Sequence, residues 1–174
     1  TNKIARNISM LEKAISDAPK EPYLHYQLGK SHYLNKDYLA AIKSFSIALE
    51  LQENTFPSYN ENLIECYGYS LINIGEYVKS LDILKYEKYC SSTDFIFLKA
   101  LVLMNNSDFQ GALDHFQKCI SMPSGRKSGV NSYKANHNIA VILECHNMLN
   151  EAVTFYKKCG NYSPAQAGIA RILK

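Results

Sequence analysis

Hydrophobic residues in the first third of the chain recur with a helical period. Between residues 22 and 55, apolar and small side chains stand three, four and seven positions apart in two runs, separated by the triplet Asn35-Lys36-Asp37. The first run contains Leu24, Leu28 and Gly29, and the second contains Tyr38, Ala41, Ile42, Phe45, Ala48 and Leu49. This pattern predicts two amphipathic helices that pack as an antiparallel hairpin, with small residues where the helix axes approach most closely.

The second run has copies elsewhere in the chain. Apolar residues at 4, 8, 11, 14 and 15 match it 34 positions earlier, and later copies begin at Tyr77, Phe109 and Leu149, at successive offsets of 39, 32 and 40 residues. The unequal offsets predict insertions around Asn54–Asn60 and Arg126–Ser132 and a small deletion near Cys90–Thr93. Self-similarity of this length is typical of stacked helical repeats, because a single hairpin cannot bury its apolar face alone.

Ten helices follow from this periodicity. We predict them at residues 2–17, 22–34, 38–52, 57–73, 77–88, 93–105, 109–121, 130–146, 149–158 and 163–173. Pro22, Pro57 and Pro164 are placed in first helical turns, where the missing backbone N–H of proline costs nothing. Gly160 is predicted to end the helix before it as a C-terminal cap.

A unit of about 34 residues that contains Leu28-Gly29, an aromatic residue, Asp37-Tyr38, Ala41, Phe45 and Ala48 in this order resembles the tetratricopeptide repeat (TPR) family. The resemblance implies an all-α fold, a right-handed TPR α-solenoid of antiparallel helix hairpins. It makes residues 1–174 a single domain, with a half-repeat at 1–19, repeats at 22–55, 61–94, 93–126 and 133–166, and the start of a closing helix at 164–174. Ser80, Lys99 and Met148-Leu149 depart from the family pattern.

The resemblance also implies a concave groove lined by the first helix of each repeat. It places at the groove Tyr23, Tyr26, Gln27, Lys30, Tyr33, Glu65, Tyr69, Asn73, Phe97, Leu101, Asn105, His137, Asn138 and Val141. Rigid aromatic side chains with polar tips are common in binding hot spots. The alternative is that several of these aromatic residues, Tyr33 above all, pack between helices.

The residue types at the groove positions exclude one known binding mode of the family. Chaperone-binding members hold a C-terminal carboxylate at positions that here read Tyr26, Lys30, Cys66, Asp94 and Leu98, and only Lys30 is compatible. We therefore predict that the chain binds a protein or peptide as a scaffold or adaptor, without that clamp.

Enzyme and metal signatures are missing from the sequence. It contains no G-x-G-x-x-G, H-E-x-x-H or G-x-S-x-G motif, and its five cysteines stand singly. We predict no catalysis in this chain, no cofactor and no metal site, with Cys119 and Cys159 as core residues. The basic segment Ser124–Gly129 lacks the P-loop spacing and is interpreted as an exposed, flexible linker.

Charge and hydropathy further restrict the classes of partner that we expect for this chain. The net charge of +3 is small and mixed along the helices, and the groove holds two basic residues, Lys30 and Lys134, so we predict no nucleic-acid partner. Long apolar runs and a signal peptide are missing, which favours a cytoplasmic location and no membrane partner. Both ends lie within repeat units, which predicts a segment of a longer protein whose exposed end faces, such as Ile4 and Leu173, can pair end to end.

The linkers carry a second resemblance. Segments 57–75, 95–106, 129–142 and 159–165 are similar to the TPR region that follows a family 2 (GT-A fold) glycosyltransferase domain in Gram-positive bacteria. This resemblance implies an alternative function, in which the repeats of a bacterial protein present an acceptor to a catalytic domain outside this chain.

Overall fold

The computed structural model describes residues 3–52 and 55–174, and the regular structure within these ranges is entirely helical. Its helices are α1 Lys3–Asp17, α2 Pro22–Leu34, α3 Tyr38–Leu51, α4 Asn60–Asn73, α5 Tyr77–Ser80, a 3-10 helix Leu81–Tyr86, α6 Thr93–Asn105, α7 Phe109–Ser121, α8 Tyr133–Cys145, α9 Leu149–Lys157 and α10 Ser163–Ile172. The prediction of an all-α fold is confirmed. Residue 2, where the first helix was predicted to begin, and Asn54, where the first insertion was placed, lie outside the described ranges.

The hairpin turns confirm the repeat register through their backbone geometry. One residue in each turn has a positive φ, namely Lys36, Gly75, Ser107 and Asn147, so that successive turns are separated by 39, 32 and 40 residues. These are the offsets read from the apolar pattern. In each turn the next residue donates its backbone N–H to the carbonyl five positions earlier, as Asp37 does to His32 at 3.0 Å. This is the Schellman arrangement that ends a helix and reverses the chain.

Aspartates at these turns also begin the second helix of a hairpin. The Asp37 carboxylate accepts a hydrogen bond from the Ala40 N–H at 3.2 Å, and Asp108 accepts one from the Gly111 N–H at 2.9 Å. Each aspartate is therefore an N-cap, which satisfies one of the free N–H groups of a helix start. The Asp-aromatic pairs in the sequence mark helix starts for this reason.

The chain divides into two compact units, the first ending at Tyr89 and the second beginning at Cys90, and each is described by itself. In the first unit α2 pairs with α3 as a hairpin, α1 packs on α2, and α4 packs on α3 and α5. Its core consists of residues with little or no exposure, among them Ala41, Phe45, Ala48, Leu63, Ile64, Leu71 and Ile83. The assignment of the whole chain to one domain stays a prediction.

A close contact at Gly29 sets the spacing of the α2–α3 hairpin. A Cβ atom built on Gly29 would lie 2.6 Å from Cδ1 of Phe45, whose side chain is fully buried. Only a residue without a side chain allows α2 to approach the Phe45 ring this closely. The sequence prediction of small residues at the close approach is confirmed here.

The second unit repeats the hairpin plan with different side chains. Helices α6 and α7 form one hairpin, α8 and α9 form another, and α7 packs on α8 while α9 packs on α10. The core contains mostly fully buried residues, among them Phe95, Ala100, Val102, Ala112, Phe116, Cys119, Ile139, Ala140, Ala152, Tyr156 and Ala165. Cys119 and Cys159 are both buried, as predicted for core residues.

Two helices begin later than the sequence predicts. Helix α4 begins at Asn60, because the carbonyl of Pro57 accepts the Asn60 N–H at 2.9 Å in a turn that precedes the helix. Helix α8 begins at Tyr133, because Gly129 adopts a φ of +82° and its carbonyl accepts the Lys134 N–H at 2.9 Å. In both places the inserted residues form a turn rather than an added helical turn, so the predictions of helix from 57 and from 130 are wrong.

The predicted helix 77–88 is also corrected. Only Tyr77–Ser80 is α-helical, and Leu81–Tyr86 continues as a 3-10 helix. Ser80, which departs from the family pattern, donates its hydroxyl to the carbonyl of Tyr77 at 2.6 Å, three residues earlier. Side-chain bonds of this kind compete with the α-helical backbone bonds, and a tighter helix follows.

Candidate functional site

Three tyrosines form an aromatic cluster in the first unit. The rings of Tyr26 and Tyr59 stack with centroids 4.7 Å apart, and the Tyr23 ring meets Tyr59 edge-on at 5.2 Å. Tyr23 and Tyr26 belong to the first turns of α2, whereas Tyr59 comes from the turn that precedes α4. Aromatic pairs in these geometries stabilise one another beyond their buried area. Tyr23, Tyr26 and Tyr59 are called the tyrosine cluster below.

Hydrogen bonds fix the position of two rings in the tyrosine cluster. The Tyr26 hydroxyl donates to Oδ1 of Asn62 at 2.9 Å, and the Tyr23 hydroxyl accepts from Nε2 of Gln27 at 2.6 Å. Tyr23 is 46% exposed, whereas Tyr26 is 5% exposed. Tyr26 is therefore a buried member of the cluster, whereas Tyr23 exposes its ring to solvent. Tyr26 is one of the predicted groove residues that pack instead of facing outward.

A lysine lies beside the same cluster. The Nζ atom of Lys30 stands 5.8 Å from the centroid of the Tyr26 ring, within range of a cation–π interaction. Gln27 and Lys30 are both partly exposed, and they follow Tyr23 along one side of α2. The outward side of α2 thus offers an aromatic ring, an amide and a cation within two helical turns.

Tyr33 packs between helices, which is the alternative to a place on the binding surface. Its ring meets Tyr38 of the second helix of the hairpin edge-on at 6.0 Å, and it is only partly exposed. Burial, followed by the nearby Cys66, Tyr38 and Glu65, raises the pKa of the Tyr33 phenol to about 12. Tyr33 is therefore neutral at physiological pH and packs within its hairpin.

Helix α4 carries the other predicted positions of the first unit. Glu65 is fully buried, Tyr69 is partly exposed and Asn73 is exposed. The Asn73 side-chain amide donates to the carbonyl of Tyr69 at 2.7 Å, which holds it against its own helix. Of the predicted α4 positions, Tyr69 and Asn73 are the ones that reach solvent.

In the second unit the predicted positions on α6 lie at different depths. Phe97 is 5% exposed, and its ring meets the core ring of Phe116 edge-on at 5.3 Å. Leu101 and Asn105 are partly exposed, and the Asn105 amide donates to the Leu101 carbonyl at 2.8 Å. Phe97 thus belongs to the core, whereas Leu101 and Asn105 reach the surface.

The predicted positions on α8 lie together on a partly exposed face. His137, Asn138 and Val141 are all partly exposed, and the imidazole of His137 meets the ring of Tyr162 edge-on at 5.3 Å. Burial, with a smaller effect of Arg171, lowers the pKa of His137. His137 is therefore neutral near pH 7 and behaves as an aromatic side chain with polar atoms.

Glu144 joins α8 to both later helices of the second unit, and sequence reasoning did not assign it this role. Its carboxylate accepts two hydrogen bonds from Arg171, at 2.6 and 2.7 Å, and a third from the Tyr156 hydroxyl at 2.7 Å. The Arg171 hydrogen bonds hold the pKa of Glu144 below its usual value. Its partners lie 12 and 27 residues away, so no local sequence signal could have shown them.

Asp94 is a second residue with an unexpected role. Register placed it in the groove, yet it is buried and accepts the backbone N–H groups of Arg126 at 2.6 Å and Lys127 at 2.8 Å. These bonds hold the segment Ser124–Gly129, which the sequence predicted to be flexible. A Cβ atom on Gly125 would lie 2.7 Å from Oδ2 of Asp94, so glycine allows this close approach. Ser124, Arg126 and Ser128 are exposed, as predicted for this linker, but the bonds to Asp94 attach the linker to α6.

Four of the five cysteines are buried, and Cys145 is exposed. Burial raises the pKa of Cys119 to about 12 and also raises the pKa of Cys159. Because the thiolate is the reactive form, these two thiols are inert at neutral pH. Within residues 3–52 and 55–174, no three His, Cys, Asp or Glu side chains are grouped so that they could hold a metal ion.

None of the helices formed by the described residues is long and apolar enough to cross a membrane. Comparison with known proteins gave no match to any family model and none to any curated protein.

Solved structures do resemble this chain. MamA (residues 41 to the end) from Desulfovibrio magneticus RS-1 shares 16% identity and a TM-score of 0.75, over 98% of this chain and 87% of that one. YrrB, described as a TPR protein with an unusual peptide-binding site, shares 18% identity and a TM-score of 0.76, over 98% of this chain and 83% of that one. TTC0263, a thermophilic TPR protein of Thermus thermophilus, shares 12% identity and a TM-score of 0.65, over 95% and 88%. The chain has the α-solenoid fold of TPR proteins.

Proposed function

We propose that this chain is a protein- or peptide-binding module that acts as a scaffold or adaptor and catalyses no reaction. Each unit would present its own binding surface on the outward faces of its first helices, which are α2 and α4 in the first unit and α6 and α8 in the second. The observation that carries the proposal is the half-exposed ring of Tyr23, which Tyr59 and Gln27 hold in one orientation. A rigid exposed aromatic side chain gains contact area with little loss of conformational entropy.

The fold supports this proposal by analogy. One protein of the same fold, YrrB, is described as having a peptide-binding site. Fold alone does not fix function, so the proposal depends on the side chains of this chain. The residues proposed to touch a partner are the predicted ones that reach solvent: Tyr23, Gln27, Lys30, Tyr69, Asn73, Leu101, Asn105, His137, Asn138 and Val141.

Tyr26, Tyr33, Glu65 and Phe97 take a supporting role in this proposal, because they are buried or pack within their hairpins. The acceptor-presenting role beside a glycosyltransferase domain, the bacterial origin, the cytoplasmic location and the end-to-end pairing stay sequence predictions.

A selection experiment tests the proposal without a known partner. Peptides enriched from a random phage library on the wild-type chain supply a ligand, and fluorescence anisotropy gives its Kd. We expect Tyr23→Ala to weaken binding by about tenfold or more, since loss of a central aromatic contact typically costs at least about 1.4 kcal/mol. Tyr77→Ala is the matched control, because Tyr77 is 41% exposed but begins the second helix of its hairpin.

The proposal fails in either of two cases. One is that no peptide is enriched above background. The other is that the enriched peptides bind Tyr23→Ala as tightly as wild type and lose affinity for Tyr77→Ala, which would place the binding surface on the second helices.

A further inference from the structure

The first unit contains an open cleft between α1 and α2, apart from the tyrosine cluster. Its volume is about 480 Å³, within the range of roughly 300–1,000 Å³ that is usual for ligand sites. Three apolar side chains line it, Ile4 and Met10 from α1 and Leu34 from the end of α2. Met10 is 63% exposed and Leu34 is 60% exposed, although both are large and apolar. Apolar surface of this kind, gathered around a cleft, is typical of an interaction site.

The charges around this cleft have one sign. Lys3 and Arg6 line it, and the described residues of its lining include no carboxylate. Several other helices carry both signs of charge, for example Lys43 and Glu50 on α3 and Asp114 and Lys118 on α7. A site with cations and no acid attracts a ligand that brings carboxylates.

Hydrogen bonds give the cleft a fixed base. The side-chain amide of Asn7 on α1 donates to Oγ of Ser31 on α2 at 2.8 Å, and the Ser31 hydroxyl donates to the Gln27 carbonyl at 2.9 Å. Both Asn7 and Ser31 line the cleft. Because this bond ties the two helices together, the spacing of the apolar and charged walls is set before a ligand arrives, which lowers the entropic cost of binding.

We propose that the α1–α2 cleft binds an acidic peptide segment with an apolar anchor residue. Carboxylates of the segment pair with Lys3 and Arg6, and the anchor side chain inserts between Ile4, Met10 and Leu34. The walls are concave, which suits an inserted side chain better than a flat lipid surface. This site goes beyond the proposed first-helix surface, since its charged and apolar residues come mainly from α1.

Defined synthetic peptides test this proposal on the whole chain. The probe is fluorescein-labelled Glu-Glu-Leu-Phe-Glu-Glu, and its partner probe carries glutamine in place of every glutamate. We expect the acidic probe to bind wild type at least about tenfold more tightly than the neutral one at low salt, where paired charges are least screened. The double variant Lys3→Glu with Arg6→Glu should lower the affinity for the acidic probe about tenfold or more. Met10→Ser should weaken both probes.

The control double variant is Lys13→Glu with Lys20→Glu, which changes the net charge equally at exposed residues outside the cleft. It should alter the affinity less than twofold, and circular dichroism should show equal helicity in all variants. The proposal is overturned if the two double variants lose affinity equally, since bulk charge would then explain binding. It is also overturned if the acidic probe does not bind. Binding of phosphatidylserine vesicles without binding of the acidic probe would likewise overturn it and indicate a lipid surface as the ligand. The proposal is overturned as well if a second copy of the chain covers the cleft. Sedimentation would show such self-association as a mass that rises with protein concentration.

Tyr23→Ala separates this site from the first-helix surface. That variant should bind the acidic probe like wild type, because Tyr23 does not line the cleft. The two proposals can therefore fail independently. If Tyr23→Ala abolishes probe binding while Lys3→Glu with Arg6→Glu does not, the acidic peptide binds at the tyrosine cluster and the cleft assignment is wrong.

Discussion

Replacing Gly29 by valine lowers the free energy of unfolding by about 3 kcal/mol, the upper part of the range for overpacked cores. The added Cβ would start 2.6 Å from the Phe45 ring, and that ring is fully buried. Helix propensity acts in the opposite direction, since valine is better than glycine in a helix by only about 0.4 kcal/mol. The steric effect therefore wins. Urea denaturation followed by far-UV circular dichroism measures the change.

A double-mutant cycle shows whether the loss arises at the Phe45 ring. Phe45→Ala alone should cost about 3–5 kcal/mol, as large-to-small core changes do. Combined with Gly29→Val it should cost less than the sum of the single changes by at least about 1 kcal/mol, because the truncated ring makes room for valine. Strict additivity of the two changes would show that α2 and α3 do not meet at this point.

Asp94→Ala should destabilise the second unit by about 3 kcal/mol and make the segment Ser124–Gly129 more susceptible to protease. Each hydrogen bond to a charged group contributes about 1.5–3 kcal/mol, and this variant removes the acceptor of the Arg126 and Lys127 N–H groups. Limited trypsin digestion, which cleaves after arginine and lysine, should cut at Arg126 or Lys127 about tenfold faster than in wild type, because cleavage follows the population of the open segment.

Asp114→Ala is the control for this experiment, since Asp114 is exposed on α7 and accepts from its own helix neighbour Gln110. It should leave the tryptic pattern unchanged. Asp94→Asn should fall between the two, because an amide keeps one acceptor oxygen but places an NH₂ group against the second donor. An unchanged cleavage rate in Asp94→Ala would mean that the carboxylate does not hold the segment.

Most of the helical framework could be predicted because its signals are local. The apolar period predicted ten helices, and its offsets of 39, 32 and 40 residues match the spacing of the positive-φ residues in the hairpin turns. The errors fall where inserted residues take a path that no period describes. Pro57 and Gly129 form turns before α4 and α8, and the Ser80 hydroxyl favours a tighter helix after α5.

The candidate site was less predictable, because exposure depends on residues far away in sequence. Family register placed Tyr23 and Tyr26 alike, but stacking on Tyr59 and a hydrogen bond to Asn62 bury only Tyr26. Asp94 looked like a groove residue, but the segment 32 residues later folds back onto its carboxylate. The cleft at Lys3 and Arg6 depends on the tertiary contact of α1 with α2. The sequence predicted only the apolar face of α1.

The most direct measurement of the binding proposal is an amide chemical-shift map of the ¹⁵N-labelled chain, titrated with a peptide selected on the wild-type protein. We expect the largest shifts on the outward side of α2, at Tyr23, Gln27 and Lys30, and on α4 at Tyr69 and Asn73. Shifts confined to α3 and α5, with α2 and α4 unchanged, would contradict binding through the first helices.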